Sequence, residues 1–448
     1  MLSLGRVVRT ATRQCWRTLC SSPPATAFTD SDPLPEHCDV LIIGGGGMGA
    51  SSAYWLRLKA KMQQKKLNVL VVERDAGYTS ASTVLSVGGL RQQFSLAENI
   101  RMSLYGYEFI KNAKTHLGDV DLSFQPNGYL ILASSKGADM LERNSKFQNE
   151  LGAHNELMAP SGLAQRFPWL CTENIALGCY GVNKEGWFDP WALLMGFKQQ
   201  ARAYGAQFVN GEVTGFEWNT QGGLSGALIS SCDPQQPLRK VTFDKCVLAA
   251  GAHSGKVASL AGIGDPSATI EVLRTPLPVE PRKRYVYVFS TQGRNCPGLA
   301  TPLTIDPDGT YFRRDGLTGN FLCGRSPCDA DEPECHTLDV DHDYFDTQIW
   351  PTLATRVPAF ESIKVQSSWA GYYDYNCFDA NGVIGQHPFY TNLYIAAGFS
   401  GHGIQQTPAV GRAISELVLE GQYKTIDLSR MNFERLVHKE PLLEDNIV

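Results

Sequence analysis

The sequence predicts an α/β protein in two parts: a parallel sheet wound by helices, and a discontinuous α+β unit built on a mixed antiparallel sheet. Two observations carry that expectation. An apolar run, Asp39-Val-Leu-Ile-Ile43, opens into Gly44-Gly-Gly-Gly-Met-Gly49 and a helical stretch to Leu56, and a second run, Asn68-Val-Leu-Val-Val-Glu73, follows. Far along the chain, Cys246-Val-Leu-Ala-Ala-Gly251 and Leu393-Tyr-Ile-Ala-Ala-Gly398 repeat the pattern of a strand running into glycine. Short continuous apolar runs bounded by glycine are what parallel strands buried on both faces look like. At 448 residues, more than one folded unit is the natural expectation.

The first glycine cluster has a spacing with a mechanism. Gly44 serves the tight turn, Gly46 lets a pyrophosphate approach the backbone, and Gly49 packs the helix on the strand. Gly47 and Met48 lie in the same turn, at a helix start whose N–H groups and positive dipole end suit phosphates. Glu73 falls 24 residues after Gly49 at the end of the second strand, where a carboxylate can accept hydrogen bonds from an adenosine ribose. Those features alone fit NAD or FAD. Three later segments favour FAD in a Rossmann-like domain of the glutathione-reductase type. The first is the small-residue loop after Glu73-Arg74, with Ser82, Thr83, Gly89 and Arg91. The second is the strand ending at Ala250-Gly251. The third is the glycine loop Gly398-Phe-Ser-Gly401-His402-Gly403, followed by Ile404, Gln405 and a helix to Glu420. A helix start there faces the end of a flavin where negative charge collects on reduction.

Composition narrows the partners. A net charge of −5 gives no reason to expect nucleic acid. The twelve cysteines include no CxxC pair, and Cys323, Cys328, Cys335 and His336 are irregularly spaced, so neither disulfide nor metal is assigned. Before Asp30 there is no acidic residue, and Arg6, Arg9, Arg13 and Arg17 form a basic stripe on a helix beside Leu2, Leu4, Val7 and Val8. That is the composition of a mitochondrial import signal over 1–20, with a basic tail as the alternative. Residues 21–37 read as a linker. Val40 to Leu56 is broken by four successive glycines, so it is not a membrane span, and membrane contact would be peripheral.

The remaining chain divides into an FAD-binding domain over 38–112, 189–269 and 369–428, a substrate domain over 113–188 and 270–368, and a tail at 429–448. In the substrate domain, Asp121–Phe124 and Gly128–Leu132 read as a β-hairpin split by Gln-Pro-Asn, and Tyr285–Val288 and Gly309–Arg314 read as strands. Arg91, Tyr311, Arg313, Tyr373 and His402 are candidates for a pocket facing the flavin. An arginine can hold a carboxylate through two parallel hydrogen bonds, which suits an amino-acid substrate. The run Arg282-Lys-Arg284 reads as a solvated basic face.

From about Cys38 to Asp427 the chain resembles the FAD-dependent oxidoreductases of the D-amino-acid oxidase and sarcosine/dimethylglycine dehydrogenase superfamily. The glycine–Glu73 unit, Gly186-Trp-Phe-Asp-Pro190, Trp369-Ala-Gly-Tyr-Tyr-Asp374 and Gly398 to Gly403 carry the likeness. Pro278 to Val288 and Trp369 to Phe378 resemble a mitochondrial branch associated with assembly of respiratory complex I. That implies the matrix side of the inner membrane and contact with complex I assembly intermediates. The resemblance also implies that Val213 meets the adenine through its backbone, and that Gly398, Gly401 and Gly403 line the flavin end.

Departures from the family pattern narrow the chemistry. Where some amine dehydrogenases attach flavin through a histidine, Ser82-Thr-Val-Leu-Ser86 has none. Where others use a cysteine, this chain has Gly371, and Cys377 comes about six residues later. These absences imply non-covalent FAD. The family's oxidases carry a lysine where Gln405 stands and another in a stretch matching Phe321–Arg325, which has none. A cation near reduced flavin stabilises superoxide-like charge. The chain therefore reads as a dehydrogenase of an amine or N-methyl amino acid, the alternative being a non-catalytic FAD-binding assembly factor.

Overall fold

The computed structural model describes residues 34–231, 237–291 and 295–445, so the basic stripe and most of the expected linker lie outside the described residues. The first sheet has eight strands. Its centre is His37–Ile43, parallel to Val69–Glu73 on one side and to Arg239–Leu248 on the other. Gln207–Asn210 and Leu393–Ala397 extend it in parallel, and Val383–Gln386 closes one edge antiparallel. Glu212–Trp218 and Leu224–Ser230 join as an antiparallel pair beside Arg239–Leu248. Successive residues feed two cores. Val40, Ile42, Val69 and Val71 pack with helices Gly47–Met62, Pro190–Ala203 and Thr407–Glu420, while Leu41, Ile43, Leu70 and Val72 pack on the other face. Burial on both faces explains why these strands read as unbroken apolar runs.

Local chemistry sets the helix limits. Asp189 caps Pro190–Ala203 by accepting the Trp191 and Ala192 N–H groups, with proline in the first turn. Pro408 sits in the first turn of Thr407–Glu420, where its missing N–H costs nothing, and Gly421 ends that helix at φ +72°. No helix among the described residues is long and apolar enough to cross a membrane.

The second sheet also has eight strands, in the order Ile363–Asn376, Val279–Thr291, Asn320–Gly324, Tyr311–Asp315, Leu303–Ile305, Tyr129–Ala133, Leu177–Gly181, Asn155–Met158. All pairs are antiparallel except Leu303–Ile305 with Tyr129–Ala133. The boundary expected at 369 falls inside Ile363–Asn376, which pairs with Val279–Thr291 along its whole length. The hairpin expected over 121–132 does not form. Pro126 has no N–H to donate, Gln125 instead bridges to Trp187, and Tyr129–Ala133 pairs with strands distant in sequence. Residues 429–445 are no loose tail either. Arg435 and Leu436 are buried, and Glu444 accepts hydrogen bonds from the Ser95 and Leu96 N–H groups.

Candidate functional site

The glycine turn sits where the central strand ends. Gly44 has φ +97°, and a Cβ there would overlap the Ala249 carbonyl of the next strand. A Cβ on Gly49 would overlap the Gly44 carbonyl, so both positions are closed to side chains. At Gly46 the nearest atom to such a Cβ, beyond its chain neighbours, is Thr83 Oγ1 at 3.4 Å, and its open side faces a long cleft. The Gly45 N–H donates to Glu73 Oε2 at 2.8 Å, and the Asp75 N–H donates to Glu73 Oε1 at 2.9 Å. Burial pushes the Glu73 carboxyl above its ordinary range, and those two bonds pull it back. The Gly47 N–H donates to Thr83 Oγ1 at 2.9 Å. The expected unpaired N–H is therefore absent at Gly47, because the Ser82–Leu85 turn folds over it.

The cleft encloses about 1730 Å³, its open mouth included. Glu73, Arg74 and Val213 face it, as do Met48, Ser82 and Thr83, and Ala250 and Gly251 line it from the neighbouring strand end. A smaller cavity adjoins it, sharing Tyr311, Tyr373, Gly401 and Ile404 as common walls. Gly403 stays on the cleft side, while Gly89, Arg91, His402 and Gln405 line the smaller cavity. Gly401 has φ +96°, and a Cβ there would overlap the Tyr373 ring. The loop and the second sheet can meet this closely only at glycine.

Arg91 is buried. Its N–H donates to Gln405 Oε1 at 2.7 Å, while its guanidinium donates to the Gln93 carbonyl and lies 4.1 Å from the Phe94 ring centroid. Gln405 thus holds Arg91 in place. His402 tilts against Phe94, and neither of its buried ring nitrogens has a protein partner. Burial, then the Arg91 charge, pushes its pKa down to about 3, so the ring is neutral and offers one donor and one acceptor.

Two expected site residues stand elsewhere. Arg313 lines neither void. It lies two residues beyond Tyr311 on the same strand face, roughly 7 Å farther along. Its Nε donates to the Val87 carbonyl at 3.0 Å, its Nη1 to the Arg314 carbonyl at 2.7 Å, and it packs on Trp187. Gly398 also faces away from both voids. Its N–H donates to Asp374 Oδ2 at 3.0 Å, and a Cβ there would sit 2.9 Å from Val279 Cγ2.

Residues 39–417 match the protein family described as FAD dependent oxidoreductase (DAO). The chain belongs to the FAD-dependent oxidoreductase family. It is 50% identical to FAD-dependent oxidoreductase domain-containing protein 1 of Xenopus laevis, the match covering 94% of this chain and 87% of that one. It is 24% identical to sarcosine oxidase subunit beta of Rhizobium meliloti (strain 1021), covering 92% of each. Among solved structures, L-proline dehydrogenase from P. horikoshii superposes with a TM-score of 0.77 at 25% identity, over 91% of this chain and all of that one.

The cleft fits the family cofactor, FAD. Gly46 presents bare backbone, Glu73 presents a carboxylate, and Arg74 and Lys256 line the same cleft and would bring positive charge to two phosphates, while Arg284 lines it beside Tyr373. Lys256 and Arg284 escaped sequence reasoning. Arg284 belongs to the run read as a solvated face, yet Lys283 and Arg284 lie inside the second sheet, where Val279–Thr291 is paired along its length. Arg284 Nη1 donates to Glu332 Oε1 at 2.7 Å, its guanidinium lies 5.3 Å from the Tyr373 ring centroid, and its buried Nε has no protein partner. The one available signal was continuity with Tyr285-Val-Tyr-Val288 in a single strand.

Asp374 was also missed as a site residue, although it ends the Trp369–Asp374 motif. Its carboxylate accepts the Gly398 and Phe399 N–H groups at 3.0 and 3.1 Å and so shapes the glycine loop. Burial pushes its pKa from 3.8 up to about 6. With the folded pKa above the unfolded one, this group's contribution to stability is complete below about pH 4 and is lost as pH rises through about 6. Asp374→Asn lacks that dependence. Its melting temperature relative to the parent should therefore rise between pH 4 and pH 7, by the equivalent of about 2–3 kcal/mol. A difference that stays constant across that window would contradict the assignment.

Proposed function

We propose that this protein is a mitochondrial FAD-dependent dehydrogenase of an amine or N-methyl amino acid, with FAD held non-covalently. The observation that carries the reading is the small cavity joined to the dinucleotide cleft. There Arg91 and a neutral His402, whose buried ring nitrogens have no protein partner, line a volume walled by Tyr311 and Tyr373. When bound, FAD supplies the two-electron acceptor for a C–H bond next to nitrogen.

The chain's own residues supply binding and orientation. Arg91 attracts a substrate carboxylate, and Gln405 fixes its backbone. His402 remains uncharged near neutral pH, so it can accept from a substrate N–H without repelling an amine. Burial holds the Tyr311 and Tyr373 hydroxyls protonated, and their rings give the apolar surface that excludes water. Non-covalent attachment is supported by the lack of histidine in Ser82–Leu85 and by Gly371, whose Cβ position lies 3.0 Å from Leu85 Cβ. The dehydrogenase assignment is supported by Gln405, by the lysine-free strand Asn320–Gly324, and by Glu332 countering the Arg284 charge. Relatives named for sarcosine and proline chemistry fit an N-alkylated amino acid.

The matrix side of the inner membrane and an association with complex I assembly rest on the resemblance of Pro278–Val288 and Trp369–Phe378, and on the Arg6–Arg17 stripe. Acid precipitation of the purified protein should leave a yellow supernatant, and stopped-flow mixing with a panel of N-methyl amino acids should bleach the flavin. No bleaching by any member would overturn the dehydrogenase. A cofactor-bearing assembly factor would then remain, whose FAD-free variants fail to support complex I assembly.

A further inference from the structure

The wall of the cleft beside Tyr373 carries a guanidinium whose charge is only partly countered. Arg284 and Val286 stand two apart on the strand Val279–Thr291, and both line the cleft. Directly across the sheet from Arg284 is Gly371, which has no side chain to screen it. The Arg284 side chain is 11% exposed, and its guanidinium lies 5.3 Å from the Tyr373 ring centroid. Nη1 donates to Glu332 Oε1 at 2.7 Å and to the Lys283 carbonyl at 2.8 Å. Nε is buried without a protein partner, so a donor on this wall is left for a ligand to satisfy.

Glu332 does not belong to Arg284 alone. Its Oε2 lies 3.4 Å from Arg282 Nη1, and Arg282 Nε donates to the half-exposed Glu280 at 2.9 Å. The segment that delivers Glu332 is held on the sheet by the Tyr372 hydroxyl, which donates to the Cys335 carbonyl at 2.9 Å. Two guanidiniums thus share one largely buried carboxylate, and the cluster keeps positive charge at the cleft. Glu73 and the Gly44–Gly49 turn take the adenosine and pyrophosphate. The flavin ring then extends to the wall that the cleft shares with the small cavity, made in part by Tyr311, Tyr373 and Gly401.

We propose that Arg284 is the cation that stabilises the reduced flavin, and that Glu332 sets how much of its charge the ring feels. Uptake of two electrons and one proton leaves one negative charge on the ring. A neighbouring guanidinium stabilises that state more than the neutral oxidised one. Arg284 therefore raises the midpoint potential of the bound flavin, and Glu332 lowers it. The inference rests on the small cavity being the substrate end of the site, because that brings the ring to the Tyr373 wall.

The test is the midpoint potential of the FAD-loaded protein, read from flavin absorbance during slow reduction by xanthine and xanthine oxidase beside an indicator dye, together with the affinity for oxidised FAD. Arg284→Gln should bind reduced FAD about tenfold more weakly relative to oxidised FAD, which lowers the potential by about 30 mV for a two-electron couple. Glu332→Gln should shift the potential upward by a similar factor. Arg284→Lys keeps the charge and should stay within about threefold of the parent. Potentials at the parent value in both glutamine variants overturn the proposal. So does an Arg284→Gln protein that binds oxidised and reduced FAD more weakly by the same factor, the signature of a phosphate anchor. Glu332→Gln keeps an acceptor for Arg284 and decides the matter should Arg284→Gln misfold. No amine is present, so failure of the amine panel and failure of this proposal are read separately.

Discussion

Gly46→Val is expected to purify as a folded but colourless protein, with FAD bound at least about 100-fold more weakly than in the parent, a loss of about 2.7 kcal/mol. The reason is positional. A side chain at Gly46 meets Thr83 Oγ1 at 3.4 Å and otherwise projects into the cleft, so the cofactor is displaced and the packing is not. The cofactor-free melting temperatures of variant and parent should agree within about 2 °C, and added FAD should raise only the parent's, by mass action. The same substitution at Gly49 drives a side chain into the Gly44 carbonyl and should prevent folding. A yellow Gly46→Val protein with undiminished affinity would remove the turn from the cofactor site.

The largest effect on stability is expected at Arg435. Its guanidinium lies within 2.7 and 3.1 Å of the two Asp379 carboxylate oxygens and also donates to the Met431, Asn432 and Asn381 carbonyls. Asp379 in turn accepts from Asn376 Nδ2 and from the Leu442 N–H. Arg435→Met leaves Asp379 as an uncompensated buried charge, at a cost of about 3–5 kcal/mol. Urea denaturation should place its midpoint well below the parent's, whereas Asp379→Asn with Arg435→Met should recover part of the loss. A midpoint within error of the parent would mean that the pair carries no net stability.

The parallel sheet and the first glycine turn were legible because their signals are local. A strand buried on both faces must be apolar throughout, and a turn that brings carbonyl and helix together admits only glycine, as Gly44 and Gly49 demonstrate. The residues that were missed owe their places to pairing between distant segments. Arg284 looks like part of a charged surface run until Ile363–Asn376 covers its strand. Asp374 reaches the Gly398 and Phe399 N–H groups only across the fold. Arg313 erred the other way. It lies in the expected strand, but two positions beyond Tyr311 it lines neither cavity. The hairpin over 121–132 failed because adjacency in sequence was taken for adjacency in the sheet.

The Glu444 carboxylate receives the Ser95 and Leu96 N–H groups and Asn99 Nδ2, and so places negative charge at the start of helix Ala97–Lys111, whose Leu96 gives no side-chain cap. That places a demand on the order of synthesis. As the chain leaves the ribosome, this helix emerges early and waits for Glu444, 349 residues after Ser95, to reach its start. The central strand likewise waits for Thr242 to Leu248 before its second side is paired, and that neighbour waits in turn for Leu393 to Ile395. Contacts of such long sequence separation are slow to form. A chain that lacked Glu444 would leave the start of one of its earliest helices without that carboxylate, so this end of the fold closes only after both sheets have been synthesised.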